Sequence, residues 1–466
     1  MLNKEFKISF AGSQHLEELE LKANEVLMKH KNAELSSGYH HPGYYPTLQN
    51  IPNFIKQVQT SKIFKILKAM PKAGLLHIHD TGMTSGDYIF NLTYRKNLYI
   101  CCHAGGKVSL RFFNHPDTSC NWKLVKDKRA DPFFDAHLRE KLTSLKRIPA
   151  RDSHDFGEMA LELFDLVYDL VSYKPIFEDY VYEMLLEHYM DGIRYVEVRA
   201  ACECLYDADG NIYDYDHIVQ IYLKVLEEFK NDFPDFYSLR IIYSVDRRVS
   251  NEELEERLVI YENLKQKYGY FIAGLDLLGR EDEGRTLKEF VPLLWPLKES
   301  ASIQFFLHAG ATNWYGGPSD ENIVDALMLG SKRLGHATAL SKHPKLMQMA
   351  KQKDIAIEVA PLSEHIVGRS VDARAHPAAV MAALGVNFVI CNDMPGLWGV
   401  EAVSYDWYLA FMGFASARDD LRYLKKLALN SIEYSALDKQ EKGELREIWT
   451  REWIYFIHRL ANGELI

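Results

Sequence analysis

Met70-Pro71-Lys72-Ala73-Gly74-Leu75-Leu76-His77-Ile78-His79-Asp80 divides the chain into two regimes. Pro71 to Gly74 read as a turn, and the short apolar run behind it has the length of a buried strand. The run ends in two histidines. In a strand, residues i and i+2 point the same way, so His77 and His79 face one side.

Downstream, short apolar runs alternate with amphipathic helical stretches. Strands are predicted at 74–79, 193–199, 239–245, 272–278, 303–308, 333–336, 355–359 and 386–391. From the second to the eighth, the spacing of roughly 25–45 residues is that of βα units in a parallel sheet. Eight units predict an α/β fold closed as a (β/α)8 TIM-type barrel. An open doubly wound sheet is the alternative, and the lack of a G-x-G-x-x-G turn after any strand counts against it. Over a hundred residues separate strands one and two, so an insertion of about 97–170 is expected there. Upstream, Leu16, Leu19, Ala23, Val26 and Leu27 share one helical face, and Ile51 to Met70 repeat the pattern. The expected organisation is a helical arm at 1–68 and a barrel at 69–466, helical and rich in aromatic residues from Tyr405 onward.

The 466 residues are 47% hydrophobic and 26% charged, an ordinary globular composition. No apolar run is long enough to span a membrane, and the opening MLNKEFKISF lacks the apolar core of a signal peptide. A net charge of −10 argues against nucleic-acid binding. One segment differs: His103 to Arg151 holds eleven Lys/Arg against five Asp/Glu. It reads either as a solvated surface insertion or as a docking patch for an anionic partner. The six cysteines (Cys101, Cys102, Cys120, Cys202, Cys204, Cys391) do not make a disulfide-dense scaffold. Either Cys101 or Cys102 has Cys120 within reach across a short loop. With the lone sequon Asn91-Leu92-Thr93, this leans toward an extracellular origin.

Polar residues gather where the strands end. His77 and His79 end strand one, His308 strand five and His336 strand six, while strand eight runs into Cys391-Asn392-Asp393. A barrel brings all these ends to one mouth. Neutral imidazoles with a carboxylate suit zinc, with a position left open for water, whose pKa zinc lowers to about 7. His336 is read as a residue that holds or deprotonates that water or steadies an oxyanion, and otherwise as a fifth ligand or a partner behind the ligands. Asp246 and Asp276, at the ends of strands three and four, are expected to orient histidines or serve the structure. Cys202 and Cys204 are a soft metal pair or simply packed.

At these residues the chain resembles the adenosine deaminase growth factor family, the secreted branch of the adenosine deaminases. The matching stretches include 70–80, Ala273-Gly274-Leu275-Asp276-Leu277-Leu278-Gly279-Arg280-Glu281-Asp282, His308-Ala309-Gly310, Arg333-Leu334-Gly335-His336 and Ser404-Tyr405-Asp406-Trp407-Tyr408. The resemblance covers nearly the whole chain. It implies one Zn2+ per chain on His77, His79, His308 and Asp393, with His336 and Asp393 catalytic. It places a purine nucleoside against Gly279, Asp80, Trp314 and positions 311 and 394. It also implies a homodimer through the N-terminal arm, an extracellular protein, and a disulfide between Cys101 and Cys120.

Two positions depart from the family. Its His-Ala-Gly-Glu motif supplies a Glu that shares a proton with the purine ring nitrogen; here that position is Ala311. A general acid/base contribution of about 10²–10⁴ is thereby missing. A second Asp that hydrogen-bonds the purine is Met394, which removes a polar anchor. The rim differs too: Gly335-His336-Ala337-Thr338 replaces Gly-His-Gly, and Ala360-Pro361-Leu362-Ser363-Glu364-His365 replaces Cys-Pro-Ile-Ser-Asn. Ala201-Cys202-Glu203-Cys204 after strand two is also unusual. Three readings follow. The favoured one is a zinc hydrolase with a remodelled pocket and adenosine deamination lost or weak, where Glu364, His365 or Glu203 supplies a replacement acid or base. The others are an inactive protein that binds nucleoside or a partner, and a residual adenosine deaminase.

Overall fold

Strand one, Ala73–His79, is buried along its whole length. It pairs in parallel with strand two, Ile193–Ala200, which pairs with strand three, Ser238–Asp246, and that with strand four, Ile272–Leu278. The computed structural model describes residues 2–143, 153–299, 303–370 and 372–466. A second parallel sheet holds strand six, Arg333–Gly335, strand seven, Ala356–Val359, and strand eight, Phe388–Ile390. The fifth stave, at 303–308, is thinner than its sequence predicts. It joins its neighbours through single bridges, Leu275 to Phe305 and His308 to Gly335. The bridge from Ile78 to Asp393 joins strand eight to strand one and closes the (β/α)8 barrel.

Two glycines let the fifth stave approach so closely. A Cβ on Gly274 would lie 2.2 Å from the Gln304 carbonyl oxygen, and one on Gly335 would lie 3.1 Å from His308 Cα. A side chain at either position would push His308 away from the mouth.

The barrel interior is ionic where branched aliphatics are the usual filling. Arg199 lies between Asp276, at 3.0 Å, and Glu358, at 2.6 Å. Arg333 binds Glu358 at 2.6 Å and Glu197 at 2.5 Å. All five side chains are wholly buried. Both guanidinium groups also donate to the Leu76 carbonyl at 3.1 Å. Buried charges persist only when paired and fully hydrogen-bonded, and this layer meets that condition directly beneath the histidines.

Crossover helices form where caps allow. Asp214 caps Tyr215–Asp232, and Ser250 with Glu253 forms a capping box on Asn251–Tyr268. Between strands one and two, Leu98–Cys102 pairs antiparallel with Val108–Phe112 and Lys123–Leu124. Cys101 is joined to Cys120 across this small sheet. Helices Phe134–Leu142 and Ser153–Val171 follow; Lys146, Arg147 and Arg151 of the basic stretch lie outside the described residues.

Upstream of the barrel, the long helix Glu18–His40 buries Ala23 and Leu27, as its periodicity predicts, but also Glu20 and Lys31. Glu20 accepts from Trp453 Nε1 at 2.6 Å, and Lys31 Nζ donates to the carbonyls of Ser416 and Asp419 at 2.9 and 2.7 Å. The pattern expected over 51–70 divides into Ile51–Val58 and Lys62–Ala69, because Ser61 caps the second helix by accepting from Phe64. No described helix is long and apolar enough to cross a membrane.

Candidate metal centre

Strand one delivers His77 and His79 to the mouth with their Nε2 atoms 3.1 Å apart. Asp393 Oδ1 lies 3.1 Å from His79 Nε2 and 3.7 Å from His77 Nε2. His308 stands with its ring centroid 4.7 Å from that of His77. The ligand atoms of His77, His79 and His308 fall within 4.8 Å of one another, as do those of His77, His336 and Asp393. Sequence and structure therefore bring together all five residues expected at the mouth.

The outer nitrogens of two rings are fixed from behind. His77 Nδ1 meets Glu358 Oε2 at 2.8 Å, and His308 Nδ1 meets Asp276 Oδ2 at 2.7 Å. Asp276 also accepts the His308 backbone N–H at 2.9 Å. Such carboxylates set ring orientation and leave the inner nitrogens as lone-pair donors. Burial drives His77 and His308 toward the neutral form that metal ligation needs. Burial alone would raise the Asp393 carboxyl, but its contact with His79 and the charges of His336 and His77 hold it far below the usual carboxylate range. Ser363 Oγ donates to its other oxygen at 2.5 Å. Two triads that share His77, one with His79 and His308 and one with His336 and Asp393, present imidazoles and an ionised carboxylate, a donor set that fits an ion of borderline softness.

His336 differs from the other rings. Burial pulls its pKa down, but the hydrogen bond to Glu364 and the charge of Asp393 raise it to about 9; a bound dication opposes that rise. Its backbone has φ 58°, with Ala337 at 44° and Asp393 at 59°. Backbone held in the left-handed region by non-glycine residues costs of order 1–3 kcal/mol each and gathers at functional sites.

The remaining expected residues separate into those that face the mouth and those that do not. Asp80 Oδ2 accepts the N–H groups of Ala201 and Cys202 at 2.9 and 2.8 Å, while its Oδ1 is buried without a hydrogen-bond partner. Gly279 has φ 105°, a conformation that favours glycine. The Ala311 N–H donates to Glu281 Oε1 at 2.7 Å. Met394 packs over Gly82, where an added Cβ would lie 2.8 Å from that of Met394. Trp314 is 71% exposed. Glu203 faces solvent in an ion pair with Arg257 at 2.6 Å, and His365 Nδ1 is bound to the Ser370 carbonyl at 2.8 Å. Glu364 alone of the three suggested acids and bases touches the mouth, at 3.0 Å from His336 Nδ1. Asp246 is paired with Arg248 at 2.7 Å, leaving the orienting role to Asp276. Cys202 Sγ donates to the Cys204 carbonyl at 3.4 Å.

Sequence reasoning missed Glu358, Arg199, Arg333 and Glu281. Glu281 is buried and spans the Gly310 and Ala311 N–H groups and the Asn322 amide. Glu358, the lone charge in the apolar strand Ala356–Val359, was the one signal available, and a weak one, because a charge in a strand ordinarily marks its solvent face. A cavity of about 250 Å³ lined by Phe64, Lys68, Glu187, Met190, Asp191 and Tyr405 contains none of the mouth residues.

Comparison with known proteins places this arrangement. A family model described as adenosine deaminase matches residues 133–450, and one described as adenosine/AMP deaminase N-terminal matches residues 1–67. The chain is 36% identical over 453 residues to adenosine deaminase of Aedes albopictus, covering 96% of this chain and 85% of that one. It is 35% identical over 478 residues to adenosine deaminase 2 of Homo sapiens, covering 99% and 93%. Among solved structures, a zinc-bound amidohydrolase from Burkholderia ambifaria matches in fold with TM-score 0.61 at 19% identity, covering 86% of this chain and 96% of that one.

Proposed function

The chain belongs to the adenosine deaminase family, and from that premise we propose that it is a zinc-dependent hydrolase with a remodelled purine pocket, in which adenosine deamination is lost or weak. One observation carries the reading: the donors His77, His79, His308 and Asp393 stand with Glu358 and Asp276 behind them, while Ala311 and Met394 occupy the substrate-reading positions. Loss of selection would erode both sets together.

Zinc, when bound, supplies Lewis acidity and makes water acidic near neutral pH. The chain's own residues divide the other tasks. His77, His79, His308 and Asp393 hold the ion. His336 exchanges a proton at Nε2, because its Nδ1 is engaged by Glu364. Asp80 Oδ1 and the Gly279 backbone offer polar contacts to a small substrate, purine nucleoside-like or a replacement with an electrophilic carbonyl, phosphoryl or ring carbon. Ala311 offers no proton, and Glu281 is held by the Gly310 and Ala311 N–H groups and the Asn322 amide, which ties its carboxylate to the backbone of that turn. The absence of a side-chain proton donor at Ala311 also favours a second reading, an inactive protein that binds nucleoside or a partner.

The Cys101–Cys120 disulfide supports an extracellular site of action. In the basic insertion Lys107, Arg129 and Arg139 are paired with Asp165, Asp135 and Asp87, whereas Lys123, Lys126 and Lys128 are exposed. These three support docking of an anionic partner.

The test is metal analysis joined to adenosine turnover followed by ultraviolet absorbance. The hydrolase reading expects about one zinc per chain and turnover at least about a hundredfold below that of family members with the Glu. Protein that holds no metal overturns it, and near-normal deamination overturns the claim of a remodelled pocket.

A further inference from the structure

Glu364 stands where the resembling family has Asn, and its surroundings give it a defined task. It follows Ser363 in the helix Pro361–Ile366 and is 1% exposed. Oε1 accepts the Ala360 N–H at 3.0 Å and lies 3.0 Å from His336 Nδ1. Oε2 lies 2.6 Å from His376 Nε2 as an ion-pair contact, and neither of these two atoms makes a hydrogen bond.

The donor pattern leaves little freedom. His376 Nδ1 accepts the Ala378 N–H at 3.1 Å, so its proton sits on Nε2, the nitrogen beside Glu364. The His376 ring is itself fixed by stacking on Phe414, with centroids 4.9 Å apart. Glu364 Oε1 therefore receives two donors while Oε2 faces the protonated nitrogen of His376, surroundings that suit an ionised carboxylate. Burial would raise its pKa, but His376 and His336 hold it down at about 2. With a carboxylate on its outer side, His336 has to carry its proton on Nδ1, and Nε2 is the nitrogen left for the cage.

We propose that Glu364, braced by His376, is a positioning residue that fixes the ring of His336 with Nδ1 as a permanent donor and Nε2 facing the metal cage. The strained backbone of His336 supports this reading. Its N–H donates to the Glu358 carbonyl at 2.9 Å, so the turn is tied to the strand below, and Glu364 ties the ring above. An amide at this position, as in the family, has one acceptor and one donor end. It cannot satisfy His336, Ala360 and His376 together, so the Glu and His376 act as a pair. The mechanistic consequence rests on the hydrolase reading above; the ring geometry does not.

The experiment uses zinc-loaded full-length protein labelled with 15N in histidine, with the His336 signals identified by their loss in His336→Asn. The expected wild-type result is a protonated Nδ1 in a short hydrogen bond. In Glu364→Gln the Nδ1 proton signal weakens or the two tautomers mix, zinc content stays at about one per chain, and turnover of whichever substrate the protein accepts falls about 10–100-fold in kcat with KM unchanged. An unprotonated Nδ1 in wild-type protein overturns the proposal, as does an unchanged His336 spectrum in Glu364→Gln. The wild-type spectrum decides the matter even where Glu364→Gln does not fold. A protein that turns over nothing defeats the hydrolase reading and leaves the ring measurement standing.

Discussion

At the scale of single residues, the proposed function sets the candidate ligands His77, His79, His308 and Asp393 beside Ala311 and Met394, where the family resemblance implies side chains that read the purine. Ala311 is held by its N–H to Glu281 and carries no polar side chain. Met394 fills the space over Gly82 with an apolar group. Because the two changes sit on an otherwise intact ring of donors, Ala311→Glu with Met394→Asp should restore adenosine deamination by about 10²-fold or more. Ultraviolet turnover assays of both single variants and the double read this directly; a silent double variant holding zinc would mean that the rest of the pocket no longer fits adenosine. Ala337 offers a separate test. Its φ of 44° is one that L-residues avoid and glycine accepts. Ala337→Gly should therefore stabilise the fold by about 0.5–1 kcal/mol despite the greater entropy of unfolded glycine. Denaturant unfolding with zinc content monitored checks the sign.

At the scale of elements, the cage is inseparable from the ionic layer below it. Glu358 serves three masters: His77 above and Arg199 and Arg333 beside it. Glu358→Gln leaves two buried guanidinium groups under-compensated and loosens the tautomer of His77. We expect a loss of about 3–5 kcal/mol in stability and about 10–100-fold in zinc affinity, measured by thermal unfolding and chelator competition. A variant that loses stability while binding zinc unchanged would confine Glu358 to the core. This layer also marks the limit of the sequence. The eight-stave rhythm was legible because each buried strand is a short apolar run followed by an amphipathic helix. The histidines were legible because strand ends converge whatever the barrel's details. Glu197, Arg199, Arg333 and Glu358 were not, since a charge in a strand ordinarily marks its solvent face, and only the cross-barrel pairing shows these to be the core. Strand five misled for a related reason: its apolar run predicts a full ladder, but Gly274 and Gly335 let it come so near that two bridges suffice. Glu364 was legible as a departure from the family, while its partner His376 was not, because their contact is made only by the turn between two short helices.

At the scale of the whole molecule, the arm is clamped to its own barrel before it meets any partner. Lys31 is wholly buried, with its ammonium 3.9 Å from the centre of the Phe411 ring and bound to two carbonyls of the segment before helix Leu421–Glu433. Ala23 and Leu27 are buried beside it, and Glu20 reaches Trp453 on the C-terminal helix Lys439–Ala461. The inward face of Glu18–His40 is thus consumed within one chain. Among the charged side chains that the arm and its supporting helix leave outward, such as Glu18, Lys22 and Lys29, stand five large apolar ones: Leu21, Tyr39, Tyr44, Ile454 and Tyr455 are all more than half exposed. Exposed aromatics of this kind serve as the anchors of protein interfaces. The homodimer through the arm that family resemblance implies would pack these side chains between intact arms, with no exchange of the buried face. Light scattering at micromolar concentration should give twice the chain mass. Tyr39→Asp with Tyr44→Asp should shift the protein to the monomer with zinc content unchanged, because neither side chain touches the barrel mouth. Lys31→Ala should act differently, costing about 2–4 kcal/mol of stability through the lost charge-assisted bonds whatever the oligomeric state. A monomeric wild-type protein would remove the arm from assembly and leave it as a brace for the C-terminal helices alone.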